Sequence, residues 1–143
     1  MALPMVFQGT EVVISDDAQS IDFHQLHALQ QDASWAQGRS VLDLQRAIAG
    51  SDLVLTAWSG PRLVGCVRVL TDFVYRAVLC DVIVHPHFRQ QGIGRNLVTG
   101  VTGHPRLARV QKFTLLTSTA RGFYEGLGWR RYPGEGMVYE REA

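Results

Sequence analysis

The 143-residue chain has two cysteines, Cys66 and Cys80, and one lysine, Lys112. The cysteines form no CxxC pair and the five histidines are scattered, so neither a zinc ligand set nor a disulfide framework is present, and no metal is expected. No run approaches the roughly 18 apolar residues of a membrane span. Residues 1–7 carry neither the basic opening nor the apolar stretch of a secretory leader. The expectation is a cytoplasmic protein with reduced thiols and no membrane partner. Excess charge is missing as well. Fourteen Lys and Arg against 13 Asp and Glu leave a net charge of +1, so no overall field draws the chain onto nucleic acid. Any anion must be held locally, and arginine, the bidentate donor, supplies nearly all the positive charge. Genome composition explains that bias equally well.

What the chain does have is 46% hydrophobic and 19% charged residues, enough for one packed core and too apolar for long disorder. A single domain over 1–143 is expected. Residues 11–15 read as a strand, followed by a helix over 21–33 with Ser20 as N-cap. A second helix starts after Ser40, which forms a weak capping box with Asp43, and ends at Gly50. Three β-rich runs, 53–58, 63–70 and 77–84, predict an antiparallel meander. A helix over 93–103, a strand at 113–116, a short helix over 120–127 closed by Gly128 and a last strand at 137–140 complete the order. There is no internal repeat. Both cysteines read as small buried strand residues, with Cys66 and Cys80 able to lie across from each other. The pattern predicts an α/β fold with a mixed, mostly antiparallel central sheet, helices on both faces and one strand–helix–strand crossover.

The most informative stretch runs from Asp81 through Val82, Ile83 and Val84 to Arg89, Gln90, Gln91, Gly92, Ile93, Gly94 and Arg95. An apolar strand enters a polar turn, and two glycines stand where a helix begins. Their bare amides and the helix dipole suit a pyrophosphate, with Arg89 and Arg95 as flanking donors. A Walker loop would need Lys and then Ser or Thr after the second glycine, where Arg95 and Asn96 stand. A dinucleotide fingerprint would need glycine at Leu97 and an acidic residue near position 115, and both are missing. A helix entry without a ligand would use the same two glycines.

The remaining pattern, R/Q-x-x-G-x-G/A after the strand, is met by residues 89–94. About thirty residues on, Ala120, Phe123, Tyr124, Gly128 and Trp129 fit A-x-x-L/F-Y-x-x-x-G-F/W. With both motifs in order and at this spacing, the chain resembles the GNAT superfamily of acyl-CoA-dependent N-acetyltransferases over roughly residues 10–142. The ending Pro133, Gly134, Glu135, Gly136, Met137 is similar to a subgroup that includes plant and cyanobacterial arylalkylamine acetyltransferases.

The resemblance implies a parallel strand pair that splays at the CoA site, with Val82, Ile83 and Val84 pairing to pantetheine as if to an added strand. Strand alternation sets Val82 and Val84 on one face and Asp81 and Ile83 on the other, the latter looking toward the acyl group. Gln90, Gln91, Gly92, Ile93, Gly94, Arg89 and Arg95 would hold the pyrophosphate. Tyr124 corresponds to the family's general acid beside the sulfur, and its other reading is an aromatic packing residue. Ile83 N–H would polarise the carbonyl. Asp81 is the leading base, unless it pairs with Arg68 or Arg76; His85 and His87 are alternatives. Where relatives carry Asn or Asp this chain has Thr117, next to Ser118, whose hydroxyl can still bond pantetheine.

Acceptor recognition falls to the first two helices and a later turn, which carry Trp35, Arg39, Phe73 and Tyr75; Trp35 and Tyr75 are the substrate-contact candidates, with core cover as their other reading. The implied activity is acetyl transfer from acetyl-CoA, as co-substrate, to a primary amine of a small molecule by direct attack. A protein or peptide amine, or an acyl-CoA sensor without chemistry, are the alternatives. A homodimer is compatible with all three.

Overall fold

The computed structural model describes residues 2–7, 10–132, 134 and 136–141. Among the described residues, six strands form one sheet in sequential order: β1 (Ala2–Phe7), β2 (Thr10–Ser15), β3 (Leu53–Ser59), β4 (Arg62–Thr71), β5 (Arg76–Val84) and β6 (Lys112–Thr114). All neighbours are antiparallel except β5 and β6, which are parallel and joined over Arg76–Val78 alone. Four helices, α1 (Phe23–Gln30), α2 (Val41–Ala49), α3 (Ile93–Thr102) and α4 (Arg121–Glu125), cover its faces. Strand alternation divides the core accordingly. Leu55, Val67, Val69 and Leu79 pack with Leu97, Val98 and Val101 of α3, while Val54, Cys66 and Ile83 pack with Leu26, Leu29, Leu44 and Ile48 of α1 and α2.

The expected layout holds, with local corrections. Helix α1 starts at Phe23 because the Asp22 carboxylate accepts two amides, His24 N at 3.0 Å and Gln25 N at 3.2 Å. Ser20 instead closes a 3-10 turn by donating to Asp17 O. Ser40 caps α2 as expected, accepting Asp43 N at 3.1 Å. Strand β1 was not expected. Residues 137–140 form no strand: Met137, Val138 and Tyr139 are exposed. Cys66 stands opposite Ile83 and Cys80 opposite Arg68, so the cysteines are not across from each other; Cys66 is buried and Cys80 only partly.

Two close approaches fix the sheet to α3. A methyl on Gly65 would meet Leu97 Cδ1 at 3.1 Å, Ala57 Cβ at 3.3 Å and the Ile83 carbonyl at 3.3 Å. One on Gly100 would meet Leu55 Cδ1 at 3.1 Å.

Candidate active site

Beyond Val78, β5 has no strand beside it on the β6 side among the described residues, while its other side stays paired to β4 as far as Val84. The parallel ladder ends with β6 at Thr114, leaving a strand edge along Leu79–Val84 that can accept main-chain partners. Val82 and Val84 pack toward the α3 core and Ile83 toward α1 and α2, which is the alternation expected. A bulge lies within this segment, where the β4–β5 register shifts between Cys66 and Arg68 and Asp81 adopts φ 58°.

At the end of β5 the chain turns through Gln90 (φ 62°) and Gly92 (φ 91°), the latter serving as N-cap of α3 without any side-chain cap. Left-handed residues in such a turn aim successive N–H groups to one side, which makes an anion cradle at the helix start. A Cβ on Gly92 would meet only Asn96 Nδ2, at 3.9 Å, so its place is open space that a ligand can use. Arg89 donates Nε–H to Val84 O at 3.0 Å, tying the turn to the strand end. Arg95 is exposed, Gln91 and Gly94 are half-buried, and the side chain of Ile93 is core, so Ile93 can offer a ligand only its amide. This geometry fits a pyrophosphate and the amide-rich arm that follows it.

Across the opening lies α4. Tyr124 is 8% exposed, with edge contacts to Phe123 at 5.0 Å and Trp129 at 5.8 Å between centroids. Burial pushes its phenol above the ordinary value. Phe123 reaches back to Gly94 and Val84, its Cζ lying 3.5 Å from a Cβ built on Gly94, so α4 and the glycine turn meet around the strand end. Thr117 Oγ1 accepts Ala120 N at 3.1 Å, which leaves its hydroxyl proton for another acceptor; Ser118 is exposed. A cavity of about 300 Å³ opens beside β6, lined by Thr117, Tyr124 and Trp129, and it reaches neither residues 82–84 nor the turn. The strand edge, and not this hollow, is the better seat for a strand-like ligand.

Toward α1 and α2, Asp81 gathers two arginines. Its carboxylate takes Arg68 Nε at 2.7 Å, Arg39 Nη1 at 2.7 Å and Arg39 Nη2 at 3.3 Å. Burial alone would raise its pKa, but the hydrogen bonds and charges of the two arginines outweigh burial and hold it below the usual carboxylate range. A carboxylate so held is a weak proton acceptor. Arg76, the other suggested partner, does not touch it; Arg76 is exposed, and its N–H goes to Asp72 Oδ1. Trp35, 58% exposed, stacks on Arg39 with Cζ 5.4 Å from the ring centroid. Tyr75 precedes β5 at its opposite end, six residues and roughly 20 Å of strand from Asp81. Phe73 turns to the α3 core beneath Arg106. The structure thus gathers Trp35, Arg39 and Asp81 and leaves Phe73 and Tyr75 elsewhere.

His85 Nδ1 accepts His87 N, and Arg62 Nη2 lies 2.8 Å from Nε2. Burial, then Arg62 and His87, hold the His85 imidazole below its usual value. His87 is exposed. The Arg39–Asp81 pair escaped the sequence reading because its partners lie 42 residues apart and meet only through the bulge. An acidic residue inside an apolar strand was the one signal pointing to it.

The family description "Acetyltransferase (GNAT) domain" matches residues 50–131. A solved protein of Xanthomonas campestris assigned to the GNAT family superposes with TM-score 0.80 at 32% identity, covering 92% of this chain and 93% of that one. The ycf52-like N-acetyltransferase of Prochlorococcus marinus is 26% identical over 84% of this chain and 69% of its own length. The histone acetyltransferase TAP1 of Glycine max is 26% identical over 86% of this chain and 58% of its own length. Pro133 and Glu135, which carry part of the resemblance to the arylalkylamine subgroup, lie outside the described residues.

Proposed function

The chain belongs to the GNAT family of acetyl-CoA-dependent acetyltransferases, and from that premise we propose that it moves the acetyl group to the primary amine of a small molecule by direct attack. The observation that carries the proposal is the unpaired β5 edge followed, after one 3-10 turn at Pro86–Phe88, by the left-handed Gln90–Gly92 turn. Acetyl-CoA supplies the activated thioester. Backbone groups of Val82 and Val84, on the edge away from β4, orient its arm; the Ile83 amide, the carbonyl donor expected from sequence, is turned toward Cys66 on β4. Amides of residues 90–94 and the guanidinium of Arg95 bind its pyrophosphate. Tyr124, kept protonated by burial, donates its proton to the departing thiolate; with reference values of about 10 for the phenol and about 8.5 for the thiol the transfer is uphill, and it is completed when the phenolate recovers a proton, through water, from the nitrogen that attacked.

The amine must arrive neutral, and its attack leaves a proton to be removed. Asp81, first candidate for that task on sequence, is engaged by two arginines; water at the open acceptor side is the better carrier. A small acceptor suits the compact Trp35–Arg39 wall. The histone acetyltransferase among the relatives favours a second reading, in which the acceptor is a protein amine.

The deciding experiment follows thiol release from acetyl-CoA over aryl amines, aliphatic amines and lysine peptides. Release with small amines is the expected result. Release with peptides alone selects the second reading. Acetyl-CoA binding without release on any amine overturns the catalyst.

A further inference from the structure

The Asp81 cluster joins three separate pieces of chain. Arg68 comes from β4, Asp81 from the bulge of β5, and Arg39 from the connection between α1 and α2. The carboxylate side chain is 8% exposed and the Arg68 side chain 19%. Arg39 is fixed at further points: Nη1 donates to Oε1 of the buried Gln30 at 3.2 Å, and its carbonyl lies 2.9 Å from His27 Nε2. The Cys66 thiol lies 3.6 Å from the Asp81 carbonyl, so the bulged backbone is held as well. Asp81 Oδ2 already receives two guanidinium N–H groups at 2.7 Å, which leaves the carboxylate poorly placed to collect a proton from substrate. Two residues further on stands Ile83, whose side chain packs in the core beneath α1 and α2. On the other side of Arg39 stands Trp35, one face against the guanidinium and 58% of the residue open to solvent.

We propose that Asp81, Arg39 and Arg68 form a latch that fixes residues 31–40 against the acyl strand and presents Trp35 as the wall on which the acceptor amine rests. Asp81 is then a positioning residue acting through Arg39, and Trp35 contacts the acceptor. The idea rests on the acetyl-transfer reading for its kinetic consequence and on geometry alone for the latch. The bidentate fork and the stacking plane are both properties of guanidinium, so lysine at position 39 keeps the charge and loses the arrangement. A planar aryl amine gains most from the open Trp35 face.

The test uses the full chain labelled with 5-fluorotryptophan, the Trp35 resonance being assigned with Trp35→Phe. Arg39→Met retains the apolar stem and leaves the Asp81–Arg68 pair in place, so it stays folded even where Asp81→Asn does not. In Arg39→Met the Trp35 resonance shifts and narrows while those of Trp58 and Trp129 stay put, and Arg39→Lys recovers little of the change. With phenethylamine as acceptor, KM rises about tenfold and kcat changes less than about threefold, the pattern of lost positioning. Acetyl-CoA affinity by calorimetry is unchanged. An unmoved Trp35 resonance in Arg39→Met overturns the latch. A fall of kcat by about a hundredfold or more in Asp81→Asn, at constant KM and with loss of the acidic limb of the pH profile, overturns it in favour of a base. If the parent protein acetylates no amine, the acetyl-transfer reading fails by itself, and the resonance of Trp35 still decides the latch.

Discussion

Tyr124 and Gly92 do opposite things at the site, and their variants should fail differently. Tyr124→Phe keeps the ring stack with Phe123 and Trp129 and removes only the acid, so kcat should fall by about 10²–10⁴ with acetyl-CoA affinity intact. Calorimetry beside steady-state rates checks this, and unchanged turnover removes Tyr124 as the acid. Gly92→Val fills open space at a φ of 91°. It should abolish acetyl-CoA binding and add strain of about 1–3 kcal/mol; a folded variant with normal affinity counts against the turn. Asp81→Asn removes one partner from a largely buried cluster whose arginines remain partly in water, so it should destabilise the fold by about 2 kcal/mol at neutral pH. The native Asp81 pKa is depressed, so the ion-pair contribution is complete above the ordinary carboxylate range and fades as pH falls through the depressed value. Urea melts of both proteins should therefore converge as pH falls through the depressed native value; a gap that does not narrow below the ordinary carboxylate range contradicts the ion-pair origin. At this scale the turn at Gly92 and the burial of Tyr124 were legible, because a left-handed helix entry and an aromatic packing position impose residue type and spacing locally. The role of Arg39 was not, because its partner is supplied by the fold.

Elements were legible where a cap or a stripe is decisive. Ser40 and Gly50 bound α2, and Ile93, Leu97, Val98 and Val101 form the buried stripe of α3. Two strands went the other way. Pro4 argues against a strand, yet β1 sits at the sheet edge, where a missing N–H is tolerated. Residues 137–140 have β propensity, yet pairing needs a neighbour and not only a composition. The packing of α3 on the sheet yields a sharper expectation. Gly65→Ala forces a methyl against Ala57 Cβ and the Ile83 carbonyl, both at 3.3 Å, and backbone cannot yield as a side chain does. The variant should lose about 1–3 kcal/mol in chemical denaturation. Its acetyl-CoA affinity should fall too, since Ile83 stands between Val82 and Val84 of the binding edge; a variant as stable as the parent shows that β4 has room to move.

For the molecule as a whole, the fold class follows from the order of elements, and the early end of the β5–β6 ladder leaves the strand edge on which the proposed site rests. A ligand bound only by the native state raises stability, by about 2.7 kcal/mol when present at a hundred times its Kd. Thermal melts should rise with acetyl-CoA concentration in the parent and stay flat in Gly92→Val. An upshift in both would place the ligand elsewhere.

The parallel ladder stops after three residue pairs, and that gap has a bearing on turnover. A visitor that fills it behaves as a temporary seventh strand in a six-stranded sheet. Spent coenzyme, shorn of its acetyl group, keeps nearly every grip with which it arrived. On the acetyl-transfer reading the cycle would then run at the pace of this unzipping, and accumulating free thiol would throttle its own production by lingering in the seam.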